Sequence, residues 1–168
     1  MDPNLQELLD KQAINDVVVR YCRALDWLDE ESLITVFWPD AVIDHGYFQG
    51  SGEEFIPVVM KIERANVRRW HFCGNTIIHV DRNLATSETY GLAQATNRQD
   101  DTLMDTIIAG RYLDQFEKRE GVWRILKREY VLDWTQRFPN SLSGYGLQNF
   151  PLNALTIDDS DHPSYRKL

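Results

Sequence analysis

Three residues able to do acid–base or charge chemistry fall where this chain would otherwise bury apolar side chains: Asp26, His71 and Arg128. His71 lies in the stretch Arg69 to Val80, whose aromatic and β-branched content reads as a strand. Alternate side chains of a strand share a face, so His71, Cys73, Asn75, Ile77 and His79 fall together, opposite Trp70, Phe72, Thr76 and Ile78. Histidine is the side chain whose ordinary pKa suits a base near neutral pH. A core histidine with a satisfied hydrogen bond would read the same way. The case for chemistry therefore rests on which other polar residues share apolar faces.

Asp26 follows Cys22 by one helical turn, at the edge of an apolar stripe made by Leu9, Ile14, Val17, Val18, Tyr21, Cys22, Leu25 and Leu28. Asp29 has a structural use at hand, because Asp29-Glu30-Glu31-Ser32 has the form of a helix cap with an acidic first turn. Asp26 has none. On the last strand, the even positions from Leu126 onward are apolar or aromatic except Arg128. A guanidinium keeps its proton, so burying it demands an anionic or strongly polar partner. Arg128 either reaches solvent or a structural carboxylate, or it serves a site.

Brought into one cavity, the three would be complementary. A carboxylate on one imidazole nitrogen orients the ring and stabilises the imidazolium, leaving the other nitrogen to take a proton. An arginine opposite would hold the negative charge that develops on an enolate or a departing group. That suits removal of a proton from carbon, followed by loss of a leaving group or by double-bond migration.

The elements that must position these groups follow from pattern. A helix is expected over Leu5 to Asp29, a short second one over Glu30 to Phe37, a break at Pro39-Asp40, and a strand from Ala41 to Phe48. Ser51-Gly52-Glu53-Glu54 is a capping-box signature for a third helix reaching about Asn66. Four long strands follow, Arg69–Asp81, Leu84–Arg98, Met104–Arg119 and Val122–Gln136, joined by short polar links that imply hairpins. Gly91 and Gly110 inside strands mark bends or bulges. Helices followed by such strands predict an α+β domain whose strongly curved antiparallel sheet wraps the helices and encloses a pocket.

The formal charge of −8 opposes binding to nucleic acid or anionic lipid, and no apolar run approaches the roughly 20 residues that cross a bilayer. The first residues lack the basic and apolar regions of a signal peptide, so cytoplasmic residence is expected. Cys22 and Cys73 read as buried thiols, and the histidines show no metal-ligand spacing; no metal or cofactor is expected. His45, at the end of the first strand, is either a second proton donor at the pocket entrance or a solvent-facing residue. His79 lies about 26 Å from His71 along an ideal strand, outside any shared site. His162, in the tail, has no assigned role. Tyr47, Trp70, Phe72, Tyr130 and Trp134 suit either a core or the apolar lining of a small-molecule cavity.

The layout and residues over Leu9 to Gln136 resemble the nuclear transport factor 2-like superfamily, in its SnoaL-like branch of cyclases and small dehydratases, scytalone dehydratase among them. Tyr21-Cys22-Arg23-Ala24-Leu25-Asp26 is similar to the end of the first helix of bile acid dehydratases, which implies roles for Tyr21 and Asp26. His71-Phe72-Cys73-Gly74-Asn75 matches the His-x-x-x-Asn pattern that supplies the catalytic histidine. Gly121 to Arg128 resembles the last strand of hexachlorocyclohexane dehydrochlorinases, which implies an active-site role for Arg128. Bile acid dehydratases carry an arginine where this chain has Leu132, a departure that argues against a bile acid substrate.

The resemblance implies a cone-shaped α+β barrel over residues 1–136. The tail, 137–168, would cover the pocket or a subunit interface. The expected function is a cofactor-independent, dehydratase-like lyase acting on a hydrophobic small molecule. Asp26, His71, Arg128 and Tyr21 would be catalytic, and His45, Tyr47, Trp70, Cys73, Tyr130, Leu132 and Trp134 would bind substrate. An isomerase or cyclase with the same dyad, or a non-catalytic binding or assembly subunit, are the alternatives. A homo-oligomer, dimer or trimer, is expected from the same resemblance.

Overall fold

The computed structural model describes residues 2–141 and 161–167. Helix α1 (Pro3–Asp26) is capped by the Asp2 side chain, with Pro3 in its first turn where a missing N–H costs nothing. It ends at Asp26 because Leu28 takes a left-handed conformation, φ 52°. Asp29 then caps α2 (Glu30–Ile34), accepting from the Ser32 N–H and hydroxyl, as its sequence context predicts. Both helices stop short of their expected ends, at Asp26 rather than Asp29 and at Ile34 rather than Phe37.

Phe37 instead opens β1 (Phe37–Asp44), which makes a hairpin with β2 (Gln49–Ser51). The expected strand from Ala41 to Phe48 is therefore displaced toward the N-terminus. Pro39 sits inside β1 without breaking it, because the ladder to the neighbouring strand skips from Phe37 to Val42 and requires no N–H from residue 39. Ser51 and Glu54 form the reciprocal capping box of α3 (Gly52–Ala65).

Strands β3 (Arg68–Asp81), β4 (Leu84–Gln99), β5 (Thr102–Arg119) and β6 (Val122–Pro139) form the expected run of hairpins. The six-stranded sheet has the order β2-β1-β6-β5-β4-β3, antiparallel throughout except where β1 lies parallel to β6. It curls without closing around the helices, giving the cone-shaped α+β fold of nuclear transport factor 2-like proteins. One core joins the inner stripe of α1 (Ile14, Val17, Val18, Tyr21, Leu25) to Phe55, Val59 and Met60 of α3 and to Phe37, Phe116 and Ile125 of the sheet.

Two irregularities decide which residues face inward. At Asn75 the backbone is left-handed, φ 49°, and the β3–β4 pairing shifts between Gly74 and Ile77. An extra residue reverses the parity of a strand. Ile78 and Val80 consequently pack on the core, while Ile77 and His79 turn outward, the reverse of the strict alternation expected there. In β6 the pairing with β5 shifts at Leu126, so Trp123 and Ile125 point inward before it and Arg128 and Tyr130 after it.

Of the apolar tail residues, Phe138 belongs to β6; Leu142, Tyr145, Leu147, Phe150 and Leu152 lie outside the described residues. Residues 161–167 return to the end of α1, where the Tyr165 hydroxyl donates to Asp29 and its ring meets Trp27 and the Arg23 guanidinium. Among the described residues, no helix is long and apolar enough to cross a membrane.

Candidate active site

Asp26 is the last residue of α1, the negative end of the helix dipole and an unfavourable place for a carboxylate. Its oxygens are held by β3. Oδ2 accepts from the His71 backbone N–H at 3.1 Å, and Oδ1 lies 2.7 Å from His71 Nδ1. One carboxylate thus fixes both the position of residue 71 and the tautomer of its ring, placing the imidazole proton on Nδ1 and leaving Nε2 bare. Burial alone would lower the His71 pKa; the Asp26 hydrogen bond and the charges of Glu63 and Asp26 outweigh it and hold the pKa above its ordinary value.

His71 borders a cavity of about 470 Å³ walled by α1, α3 and the inner face of the sheet. Its lining is largely apolar and aromatic, as a pocket for a hydrophobic small molecule requires. Tyr21 and Leu25 of α1, Val59 and Glu63 of α3, and Ala93, Ile108, Tyr112, Tyr130 and Leu132 of the sheet contribute, with His45 and Tyr47 from the β1–β2 hairpin. Gly110 makes room for this wall: a Cβ there would meet the Val131 carbonyl oxygen and the Tyr130 hydroxyl at 2.4 and 2.5 Å. A sequence profile of the SnoaL-like domain matches residues 6–129, nearly three quarters of the chain and every element that lines the cavity except the end of β6. The chain belongs to the SnoaL-like domain family.

Solved structures share this fold at low identity. A candidate scytalone dehydratase from Novosphingobium aromaticivorans DSM 12444 is 22% identical, covers 77% of this chain and 88% of its own, and superposes with a TM-score of 0.70. Hexachlorocyclohexane dehydrochlorinase LinA-type3 from Novosphingobium barchaimii LL02 is 20% identical over 82% and 94%, with a TM-score of 0.70. LinA itself is 21% identical over 82% and 94%, with a TM-score of 0.71. No curated protein matches the chain by sequence.

Within this SnoaL-like domain the residues singled out from sequence separate into two groups. Tyr21, His45, Tyr47, His71, Tyr130 and Leu132 line the cavity, with Asp26 directly behind His71. Arg128 does not reach it. Its Nε and Nη2 donate to Asp114 at 2.8 and 2.7 Å in a fork, both side chains sealed from solvent, and its carbon centre lies 4.2 Å from the ring centres of Tyr21 and Tyr112. The two rings stand between the guanidinium and the hollow. Nη1 has no partner among the described residues.

Trp70 is half exposed on the outer face of β3, stacked on Phe72, because its parity opposes that of His71. Trp134 is likewise half exposed, near the open end of β6. Cys73 faces inward but meets Cys22, sulfur to sulfur at 3.1 Å, rather than the cavity. Their mutual hydrogen bond raises the Cys22 pKa and lowers that of Cys73.

His45 is buried between the Phe55 and Tyr130 rings, stacked at 5.1 and 5.0 Å, and neither ring nitrogen has a partner among the described residues. Burial and the Arg128 charge push its pKa down to about 3, so it stands neutral in the cavity wall at ordinary pH. Burial raises the Tyr21 hydroxyl well above its usual value, which keeps it a donor, while the Arg128 charge works in the opposite direction.

Two residues of the site were missed in the sequence. Glu63 is buried, lines the cavity, and places Oε1 3.8 Å from His71 Nε2. The signal was present: Phe55, Ile56, Val59, Met60 and Glu63 form one helical stripe, and its last member is an acid. Arg69 is the other. Its guanidinium donates to the carbonyls of Glu63, Asn66 and Asp26, bracing the C-terminal ends of α3 and α1 together.

Proposed function

We propose that this protein is a cofactor-independent, dehydratase-like lyase that removes a proton from carbon of a hydrophobic small molecule. The observation that carries the reading is the divided imidazole of His71. One nitrogen is locked by a carboxylate at 2.7 Å, and the ring itself borders a largely apolar hollow of about 470 Å³. His71 Nε2 acts as the base, and Asp26 orients the ring and stabilises the imidazolium as it forms. Tyr21 donates a hydrogen bond to the carbonyl oxygen that becomes an enolate. Arg128 acts through the rings in front of it: a positive charge 4.2 Å from their centres makes the Tyr21 and Tyr112 hydroxyls stronger hydrogen-bond donors. Structural neighbours named for dehydratase and dehydrochlorinase chemistry support an elimination. The same dyad would serve an isomerase or cyclase, and the handling of the leaving group separates these from a lyase. A homo-oligomer belongs to this reading, with the half-exposed Trp70–Phe72 stack available for a neighbour to cover and the tail beyond β6 as a second cover.

The test follows proton removal itself. In D₂O, the protein is expected to exchange the α-hydrogens of hydrophobic aryl ketones, read by proton NMR. His71→Ala should lose about a hundredfold or more of that rate, the usual worth of a positioned base. Exchange at the wild-type rate in His71→Ala would overturn the mechanism.

A further inference from the structure

A base completes only half of a dehydration, because hydroxide is a poor leaving group and must depart as water. Glu63 is placed to supply the other half. It stands on α3, across the corner of the cavity from β3, with Oε1 3.8 Å from His71 Nε2. That separation is too long for a hydrogen bond. It is short enough for both atoms to work on the same side of one carbon–carbon bond.

The rest of the carboxyl group is held still. Oε2 accepts from the Asn66 amide at 3.1 Å and lies 4.0 Å from Arg69 Nε, which itself donates to the Glu63 carbonyl. The charged or titratable groups around it are His71 and Arg69 on β3, Tyr21 and Asp26 on α1, and Tyr47 of the β1–β2 hairpin. Burial favours the protonated form of Glu63, against the pull of His71, the Asn66 hydrogen bond and Arg69. His71 and Glu63 are therefore a pair in which one proton has two homes. With the proton on Glu63, the imidazole is free to act as a base and a neutral acid stands beside it.

We propose that Glu63 is a second catalytic residue, the general acid that protonates the departing hydroxyl in a same-side elimination of water, which narrows the substrate class to β-hydroxy carbonyl compounds. The proposal rests on the dyad reading above. His71 Nε2 takes the α-hydrogen as a proton, and the C–H electron pair becomes the new carbon–carbon double bond. The bond from the β-carbon to oxygen breaks with both electrons going to oxygen, and Glu63 gives its proton to that oxygen, releasing water. His71 is left as imidazolium and Glu63 as carboxylate. After product departs, the proton returns from Nε2 to Oε1 and the site is reset with no outside acid, base or oxidant.

The test compares two probes that give the same enone, a β-hydroxy aryl ketone and its β-chloro counterpart, whose chloride leaves without a proton. For Glu63→Gln, the loss on the hydroxy ketone is expected to be about a hundredfold or more, and at least tenfold greater than the loss on the chloro ketone. Glu63→Asp, which keeps an acid on a shorter arm, should recover part of the hydroxy ketone activity, and it carries the same comparison if the glutamine variant does not fold. Equal losses on the two probes would overturn the acid role and leave the dyad standing. Full activity of His71→Ala on both would instead overturn the dyad. A substrate-free measurement completes the test: the His71 ring resonances, titrated by NMR, should move to a lower midpoint in Glu63→Gln, and an unchanged midpoint would refute the shared proton.

Discussion

Asp114 with Arg128 and Asp26 with His71 are two acid–base pairs of this domain that differ in what each has left over. Asp114 and Arg128 face each other in register on β5 and β6, and the fork between them is sealed on all sides, 0% and 1% exposed. Asp26 and His71 come from a helix end and a strand 45 residues apart, and they are 20% and 10% exposed. The first pair spends Nε and Nη2 on the carboxylate and keeps Nη1 away from the cavity. The second spends one imidazole nitrogen on the carboxylate and keeps the other beside a hollow with a second acid near it. Burial of charge alone therefore does not make a group available to a ligand; an unspent atom facing empty space does.

The sharpest way to break this comparison is to unpair the sealed fork. Arg128→Met leaves Asp114 without its cation in a dry interior and is expected to cost about 3–5 kcal/mol in urea unfolding. Adding Asp114→Leu to it should return most of that loss, because an apolar pair of similar volume often replaces a buried ion pair at little cost. A double variant as unstable as the single would show that the fork does more than balance charge.

A smaller effect sharpens the contrast from the cavity side. The folded-state pKa of His45, about 3, lies below its ordinary 6.5, so between those values the unfolded chain binds a proton that the folded one does not. Stability should fall as pH drops through that window. His45→Phe, matched to its stacked neighbours, should remove the dependence and gain about 2 kcal/mol relative to wild type at pH 5. Equal stability differences at pH 5 and pH 8 would contradict it.

The mildest expected change is at the open pair itself. Asp26→Asn should cost only about 1 kcal/mol of stability, the worth of a partly exposed hydrogen bond, while lowering the His71 midpoint. The His71 pKa is raised on folding, so its contribution is complete below pH 6.5 and is lost as pH rises through the folded value. That slope should flatten in Asp26→Asn, as chemical unfolding across the neutral range would reveal.

Much of this arrangement could be read from residues alone, and the failures share one cause. The helical stripe locates Asp26, and strand parity sets His71 with Cys73 opposite Trp70 and shows Arg128 as the exception on its face. What could not be read was pairing across strands. Arg128 looked available to the cavity because nothing local announces that Asp114, 14 residues earlier, stands directly opposite. Trp134 reads as lining because aromatic residues suit either side of a sheet, and only register decides which side, whereas for Trp70 the parity opposite His71 already points outward. Glu63 is legible as an acid on the buried stripe of α3, but an acid near a helix end carries a weaker local signal than the capping box at the start of that helix.

The left-handed residue at Asn75 has a consequence for how this protein could change over time. It divides β3 into two stretches whose inward positions have opposite parity: His71 before it faces the cavity, and Ile78 and Val80 after it face the core. A change at His71 therefore acts on the cavity wall, and a change at Ile78 or Val80 acts on the core, although the two lie on one strand. A single twisted peptide lets one continuous strand be edited as two separate parts.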